Sequence, residues 1–240
     1  MRELLKNKLW LLSSAALLVL PLYTWRRLIK SYRKEIHNYE NDILFHNRHN
    51  CVVMYSPKKG MSGWPPNTGR VKPKIVDGIG TLFEPIIYFI NTATQTLDIA
   101  MMILSFNGVL NALVEANKRG VKIRLLLNYN HAEGFLNNYR KLIKEGIKIQ
   151  FYIQNSKLDI IMHYKYMLKD YSDSGGFVSM GSMNLTKSSC LNNFEDIVFT
   201  SNEYVVESIH ENFEECWNYI CTENKSKDYN KAILAQKNLL

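Results

Sequence analysis

From Leu82 to Ile153 the chain repeats one pattern: an apolar run of strand length, then a helical segment closed by glycine. Thr96 to Leu104 (TLDIAMMIL) is almost continuously apolar, as a strand buried on both faces would be. Gly108 to Arg119 sets Leu110, Leu113, Val114 and Ala116 at helical spacing, and Gly120 stands where such a helix would stop. Val121 to Leu127 predicts a strand, Leu136 to Glu145 a helix closed by Gly146, and Ile147 to Ile153 another strand. Ahead of them Leu82 to Ala93 predicts a helix, with Pro85 tolerable only near its first turn. Such alternation leaves little choice but helices stacked on a sheet, so the expected fold class is an α/β sandwich. Strand-like runs at His163–Leu168, Phe177–Met180 and Ile197–Thr200 enlarge the sheet. An amphipathic helix is expected from Glu203 to about Cys221, followed by a lysine-rich tail that frays.

The amino terminus does not fit that pattern. Leu9 to Trp25 (LWLLSSAALLVLPLYTW) carries no charge over about 17 residues, the lower limit for a spanning helix. Trp10, Tyr23 and Trp25 sit where interfacial aromatics belong, and Arg26, Arg27, Lys30, Arg33 and Lys34 form a dense basic flank after it. No small-residue cleavage site follows the apolar run, so an uncleaved anchor is expected rather than a signal peptide. The charge bias leaves the bulk of the protein on the cytosolic side. The expected organisation is a flank at 1–8, a transmembrane anchor at 9–25, a basic stalk at 26–41, a folded domain at 42–222 and a polar tail at 223–240. Asp42–Phe45 (DILF) would open the domain as a first strand, and 46–74, rich in glycine and proline, would be a mobile loop insert.

Residues 162 to 186, MHYKYMLKDYSDSGGFVSMGSMNLT, carry the chemistry. On a strand, period 2 puts His163 and Lys165 on one face, so an imidazole and an ammonium enter one pocket. A neutral imidazole is nucleophilic near pH 7, while Lys165 and the Asn184 amide can hold the non-bridging oxygens of a phosphodiester. Ser182 is a further hydroxyl donor, Asp170 suits a structural carboxylate better than a nucleophile, and Glu195 can orient an imidazole. A lone histidine or lysine is usually structural or solvated. A His-x-Lys-x4-Asp match is expected by accident only roughly 0.02 times here, so the pattern points to chemistry.

The stretch resembles the HKD motif of the phospholipase D superfamily, HxKx4Dx6GSxN, through His163, Lys165, Asp170, Gly181, Ser182 and Asn184, and that resemblance sets Asp170 with His163 and Lys165 as the expected catalytic residues. The apolar amino terminus, DILF, Ser105-Phe106, RGVKIRLLL and the NNFED segment around Glu195 are similar to the Zucchini or mitochondrial cardiolipin hydrolase branch. The resemblance implies a phospholipase D-like sandwich with a mixed central sheet, anchored in the mitochondrial outer membrane by one span and facing the cytosol. It implies either single-strand endoribonuclease activity in piRNA maturation or hydrolysis of cardiolipin to phosphatidic acid. It also implies two imidazoles per site. Only one HxKx4D occurs and no internal repeat is visible, so a homodimer with the site on its two-fold axis is expected. Many members carry a zinc-binding insert after the first strand. Here His46, His49 and Cys51 stand alone there, and no metal or cofactor is expected.

The net charge of +8 favours an anionic partner. Lys58, Lys59 and Arg70, with Lys72 and Lys74, lie in the expected loop, where Trp64 and Tyr55 could stack on bases. The same charges could instead face an anionic membrane. A lipase needs an apolar groove, which the sequence does not identify, so the expectation leans to single-stranded RNA over cardiolipin. A membrane adaptor without catalysis is a further alternative, disfavoured because a scaffold has no need of the intact His163, Lys165, Asn184 and Glu195 set.

Overall fold

The computed structural model describes residues 2–66, 69, 78–154 and 160–239; for residues 2–18, 78 and 79 it describes the backbone alone. The chain divides into two compact units, Met1–His46 and Asn47–Leu240.

The first unit is helical. Helix α1 runs Arg2–Arg48 and carries Pro21 inside it, with the Thr24 hydroxyl donating to the Pro21 carbonyl at 2.9 Å. Asp42–Phe45 continues this helix and opens no strand. A four-residue apolar run has no periodicity of its own, and no turn former separates DILF from the helical segment before it. Among the described residues no helix is long and apolar enough to cross a membrane. The side chains of residues 9–18, more than half of the expected anchor, lie outside the described ones.

The second unit is the sandwich. Its elements are β1 (Cys51–Ser56), β2 (Gly60–Ser62), α2 (Gly78–Leu82), α3 (Glu84–Asn91), β3 (Thr96–Met101), α4 (Asn107–Lys118) and β4 (Lys122–Asn128). Then come α5 (Tyr129–Ala132), α6 (Leu136–Lys144), β5 (Lys148–Tyr152), β6 (Lys165–Ser172), β7 (Gly175–Gly181), α7 (Lys187–Asn192), β8 (Glu195–Thr200), α8 (Glu203–Ser226) and α9 (Asp228–Gln236). One mixed sheet has the order β2-β1-β8-β7-β6-β3-β4-β5. Strands β3, β4 and β5 are parallel, joined by helical crossovers, and the rest pair antiparallel. The continuous apolar runs Ile99–Met101 and Leu125–Leu127 are buried, as strands covered on both faces must be. One face packs on α3, α4 and α6 through Leu97, Ile99, Leu113, Leu125 and Tyr139. The other packs on α8 through Ala100, Leu126, Tyr166, Phe213 and Ile220.

Two expectations at the domain's ends are corrected. The stretch 46–74 is not a loop throughout. Cys51–Ser56 is an inner strand between β2 and β8, and Lys58 at φ 61° and Gly60 at φ 85° make the turn of its hairpin. Its CVVMYS sequence alternates half-buried or exposed with buried residues, a pattern hidden in the sequence by the glycines and prolines that follow. The tail is also ordered. Helix α8 extends to Ser226 and α9 follows, burying Leu234 and Leu239. The Asn224 amide donates to the Phe151 carbonyl at 3.1 Å and to the Gln150 side chain at 3.0 Å, while Asn230 donates to Asn224. This network covers the edge strand β5, which would otherwise offer its backbone to another chain.

Helix α8 is pinned to the sheet by charge. The Arg124 guanidinium on β4 donates to both Asp98 oxygens on β3, at 2.6 and 2.8 Å, and to Glu214 on α8. It also lies over the rings of Phe213 and Trp217, 4.8 and 5.3 Å from their centroids.

Candidate active site

The site forms at one end of the sheet, where β6 and β8 begin and β1, β3 and β7 end. Crevices outside the carboxyl ends of parallel strands are where α/β sheets collect ligands. His163 precedes β6 in an extended segment still tied to the sheet, since Met102 N–H donates to the Tyr164 carbonyl at 2.9 Å. The Lys165 ammonium lies 3.1 Å from His163 Nε2 and donates to the His163 carbonyl at 3.0 Å. Alternation therefore puts the pair on one face, and it turns Tyr164 to the other. There the Asn212 amide donates to the Tyr164 hydroxyl at 3.2 Å. Partial burial lowers the Lys165 pKa, and the negative charge of Glu195 opposes that shift.

Ser182 and Glu195 meet beside this pair. Gly181 is opposite Ile197 in the β7–β8 ladder, and a Cβ on Gly181 would run into the Asp196 carbonyl oxygen, so the approach requires glycine. Ser182 follows, its hydroxyl donating to Glu195 Oε2 in a very short bond and accepting from Asp196 N–H at 3.0 Å. The second Glu195 oxygen accepts from the Asn193 amide at 2.8 Å. Asn184 Oδ1 is buried with no hydrogen-bond partner among the described residues, none of which fixes its carboxamide on that side. Asn193 was not legible as a site residue in the sequence; the only signal was its place in NNFED, two residues before the acid.

Asp170 is not part of this cluster. It lies five residues along β6 from Lys165, roughly 16 Å away. There, at φ 52°, its carboxylate accepts the N–H groups of Thr94, Gln95 and Thr96 at 2.7 to 3.1 Å. Placed with the catalytic residues by its motif, it instead anchors the turn into β3. The resemblance also departs from the family pattern in spacing. Ten residues rather than six separate Asp170 from Gly181, and they extend the β6–β7 hairpin past an irregularity between Lys169 and Ser172, away from the site.

Of the expected nucleic-acid contacts, Trp64 is corrected. It is 0 % exposed and packs against Tyr88 and Phe199, since the hairpin folds it under β1 into the core. Tyr55 is likewise buried, donating to the Leu82 carbonyl at 2.9 Å. Neither can stack on a base. Lys58 and Lys59 are exposed at the β1–β2 turn, on the same sheet end as the site. Arg70, like Lys72 and Lys74, lies outside the described residues. His49 is buried against Lys169, and burial pushes the Cys51 thiol up to about 11. Among the described residues no group of three or more His, Cys, Asp or Glu side chains is placed to hold a metal.

Residues 86–217, more than half of the chain and including His163, Lys165, Asp170, Ser182, Asn184 and Glu195, match the family described as cardiolipin synthase, PLD-like domain. The chain belongs to this PLD-like domain family. Two curated relatives share 23 % identity with it, and both are named mitochondrial cardiolipin hydrolase. The Chlamydomonas reinhardtii protein aligns over 129 residues, 54 % of each chain. The Xenopus tropicalis protein aligns over 135 residues, 56 % of this chain and 60 % of its own. The match thus spans little more than half the length of either relative. Among solved structures, Nuc from Salmonella typhimurium, a phospholipase D family member, has a TM-score of 0.49 at 23 % identity, over 55 % of this chain and 84 % of its own. NucT from Helicobacter pylori has a TM-score of 0.44 at 19 % identity, over 54 % of this chain and 83 % of its own.

Proposed function

We propose that this PLD-like chain is a membrane-anchored, metal-independent phosphodiesterase working through a phosphohistidine, with cardiolipin or a similar lipid phosphodiester as its substrate. The observation that carries the chemistry is the Lys165–His163 pair at 3.1 Å, beside the Ser182–Glu195 pair at an open sheet end. The Lys165 ammonium on His163 Nε2 favours the neutral tautomer with its proton on Nδ1. An arriving phosphodiester offers that ammonium a better acceptor, and Nε2 is then free to attack phosphorus. Lys165, Ser182 and Asn184 hold the non-bridging oxygens as charge builds. The leaving oxygen needs a proton, and each chain has one such imidazole, so His163 of a second copy supplies it in a homodimer with the site on the two-fold axis. That second imidazole then takes a proton from water, which attacks phosphorus, releases the first and gives a phosphomonoester. Asp170 contributes through the fold.

The lean toward RNA is revised on structural grounds. Trp64 and Tyr55 are in the core, which removes the expected stacking platform, and the relatives' names support a lipid substrate in a mitochondrial setting. The 9–25 segment and the basic run after it support a single-pass anchor in the outer membrane with the site on the cytosolic side. Single-stranded RNA, as a piRNA-maturing endonuclease would cut, stays as the second reading because Lys58 and Lys59 are exposed on the site's own sheet end.

The test uses the full chain in mild detergent with EDTA, cardiolipin mixed micelles and end-labelled single-stranded RNA in parallel, and His163→Asn as control. Release of phosphatidic acid by wild type alone supports the lipid reading; RNA cleavage alone, leaving a 5′-phosphate, overturns it in favour of the second. Mixed dimers of wild type with His163→Asn are expected to lose nearly all activity.

A further inference from the structure

The residues flanking the site include apolar side chains that the core does not use. Phe194 is 80 % exposed, Ile160 55 % and Ile161 42 %. Phe194 immediately precedes Glu195, and Ile160 and Ile161 precede His163 by three and two residues. Their placement follows from the ladders. Tyr166 pairs Met180 and Gly181 pairs Ile197, so counting outward along β6 and β8 sets Phe194 level with Met162, between Ile161 and His163. The two strands are separated by β7 alone, about 10 Å of sheet. On the other side of β8, Tyr55 pairs Glu195, so Ser56 stands by count opposite Phe194 and the exposed Lys58 and Lys59 lie just beyond it. One sheet end therefore presents isoleucines and a phenylalanine next to two ammonium groups, around the mouth of the candidate site.

We propose that this rim, Ile160, Ile161 and Phe194 with Lys58 and Lys59, docks the site onto an anionic phospholipid bilayer. The inference rests on the lipid reading above and gives it a surface. Apolar side chains inserted at the headgroup boundary with lysines beside them make up the physical signature of interfacial attachment, in which buried apolar area and attraction to anionic lipid add. A phosphodiester in a membrane lies at headgroup depth, so a mouth that attacks it must come flush with that plane. The N-terminal segment can hold the protein near a bilayer without orienting the site, whereas a rim around His163 orients it. Water-soluble substrates need no such rim.

The test compares wild-type full chain, Phe194→Ser/Ile161→Ser and Lys58→Ser/Lys59→Ser on two substrates. One is cardiolipin in phosphatidylcholine vesicles; the other is a short-chain phosphatidyl diester below its micellar concentration. Removing exposed apolar side chains that insert is expected to slow vesicle hydrolysis roughly tenfold or more, with the soluble substrate turned over as by wild type. Phe194→Leu restores the vesicle rate, and the lysine variant loses rate on the cardiolipin vesicles, which are themselves anionic, in a salt-dependent way, but not on the soluble diester. Equal vesicle rates in wild type and variants overturn the proposal. So does a parallel fall on both substrates with conversion to monomer in sedimentation, which would make the patch a seam between two copies of the chain.

Hydrogen exchange separates docking from chemistry. Backbone amides at 160–164 and 193–196 are expected to exchange more slowly when cardiolipin is added to phosphatidylcholine vesicles carrying the full chain. Protection without turnover of either substrate leaves the docking surface standing and defeats the enzymatic reading. Turnover without protection defeats the docking surface and leaves the reading intact.

Discussion

Lys165 Nζ lies 3.1 Å from His163 Nε2, so the ammonium proposed to hold a substrate phosphate rests on the proposed nucleophile itself. Lys165→Met is expected to lower kcat about a hundred- to a thousandfold, the usual loss of one preorganised charge partner. Burial lowers the lysine's pKa, so activity should fall as pH rises through that lowered value. Lys165→Arg, which does not deprotonate, should extend the alkaline limb even where its rate is lower. A pH–rate profile of both variants on a soluble aryl phosphodiester checks this.

Asp170 separates a structural from a chemical role. Asn at this position tolerates positive φ but cannot accept three N–H groups as an anion does. Asp170→Asn is expected to cost about 1–3 kcal/mol of stability while leaving the rate per folded molecule near wild type. Denaturant melts alongside active-site titration decide it, and a large loss of kcat in fully folded protein would return Asp170 to the reacting set.

Lys169 gives the fold a pH dependence. Its ammonium is buried, 2.7 Å from His49 Nε2 and 2.5 Å from the Thr92 hydroxyl, against the rings of Phe89 and Phe177 and beside Asp170. Burial pushes its pKa from 10.5 down to about 7, with Asp170 opposing. Between those values the unfolded chain holds the proton and the folded chain releases it, so stability rises with pH through that window and is lost as pH falls toward 7. The slope is at most about 1.4 kcal/mol per pH unit. Lys169→Met should flatten it in melts from pH 7 to 10.

Arg124 is the charge that lets Asp98 be buried. Arg124→Met should destabilise by about 3 kcal/mol by stranding that carboxylate, and adding Asp98→Asn should recover part of the loss. Arg124 also holds the Glu214 carboxyl below its usual range, so the wild-type advantage should shrink as pH drops through that lowered folded value. Thermal melts across acid pH read both effects.

The sequence by itself determined the α/β alternation and the face shared by His163 and Lys165. Both are local: glycine stops and apolar runs set element type, and a period of 2 sets the face of a strand. It also singled out Gly181-Ser182, through a motif, and Glu195, through the resemblance of its segment, as candidates for the site. Tertiary structure decided everything that depends on which strands become neighbours. DILF and CVVMY are both short apolar runs. Only the partner β8, and the helix already running through Asp42, make CVVMY an inner strand and DILF a helical turn. Trp64 and Tyr55 were expected as exposed aromatics, but the hairpin folds them under the sheet, while β8 leaves Phe194 exposed at the rim. Asp170 was bound to the site by motif, but a strand of fixed rise carries it roughly 16 Å away, to three amides that no pattern in its own segment announces. Burial and cross-strand register are properties of pairs of segments, so they appear only once the chain has closed on itself.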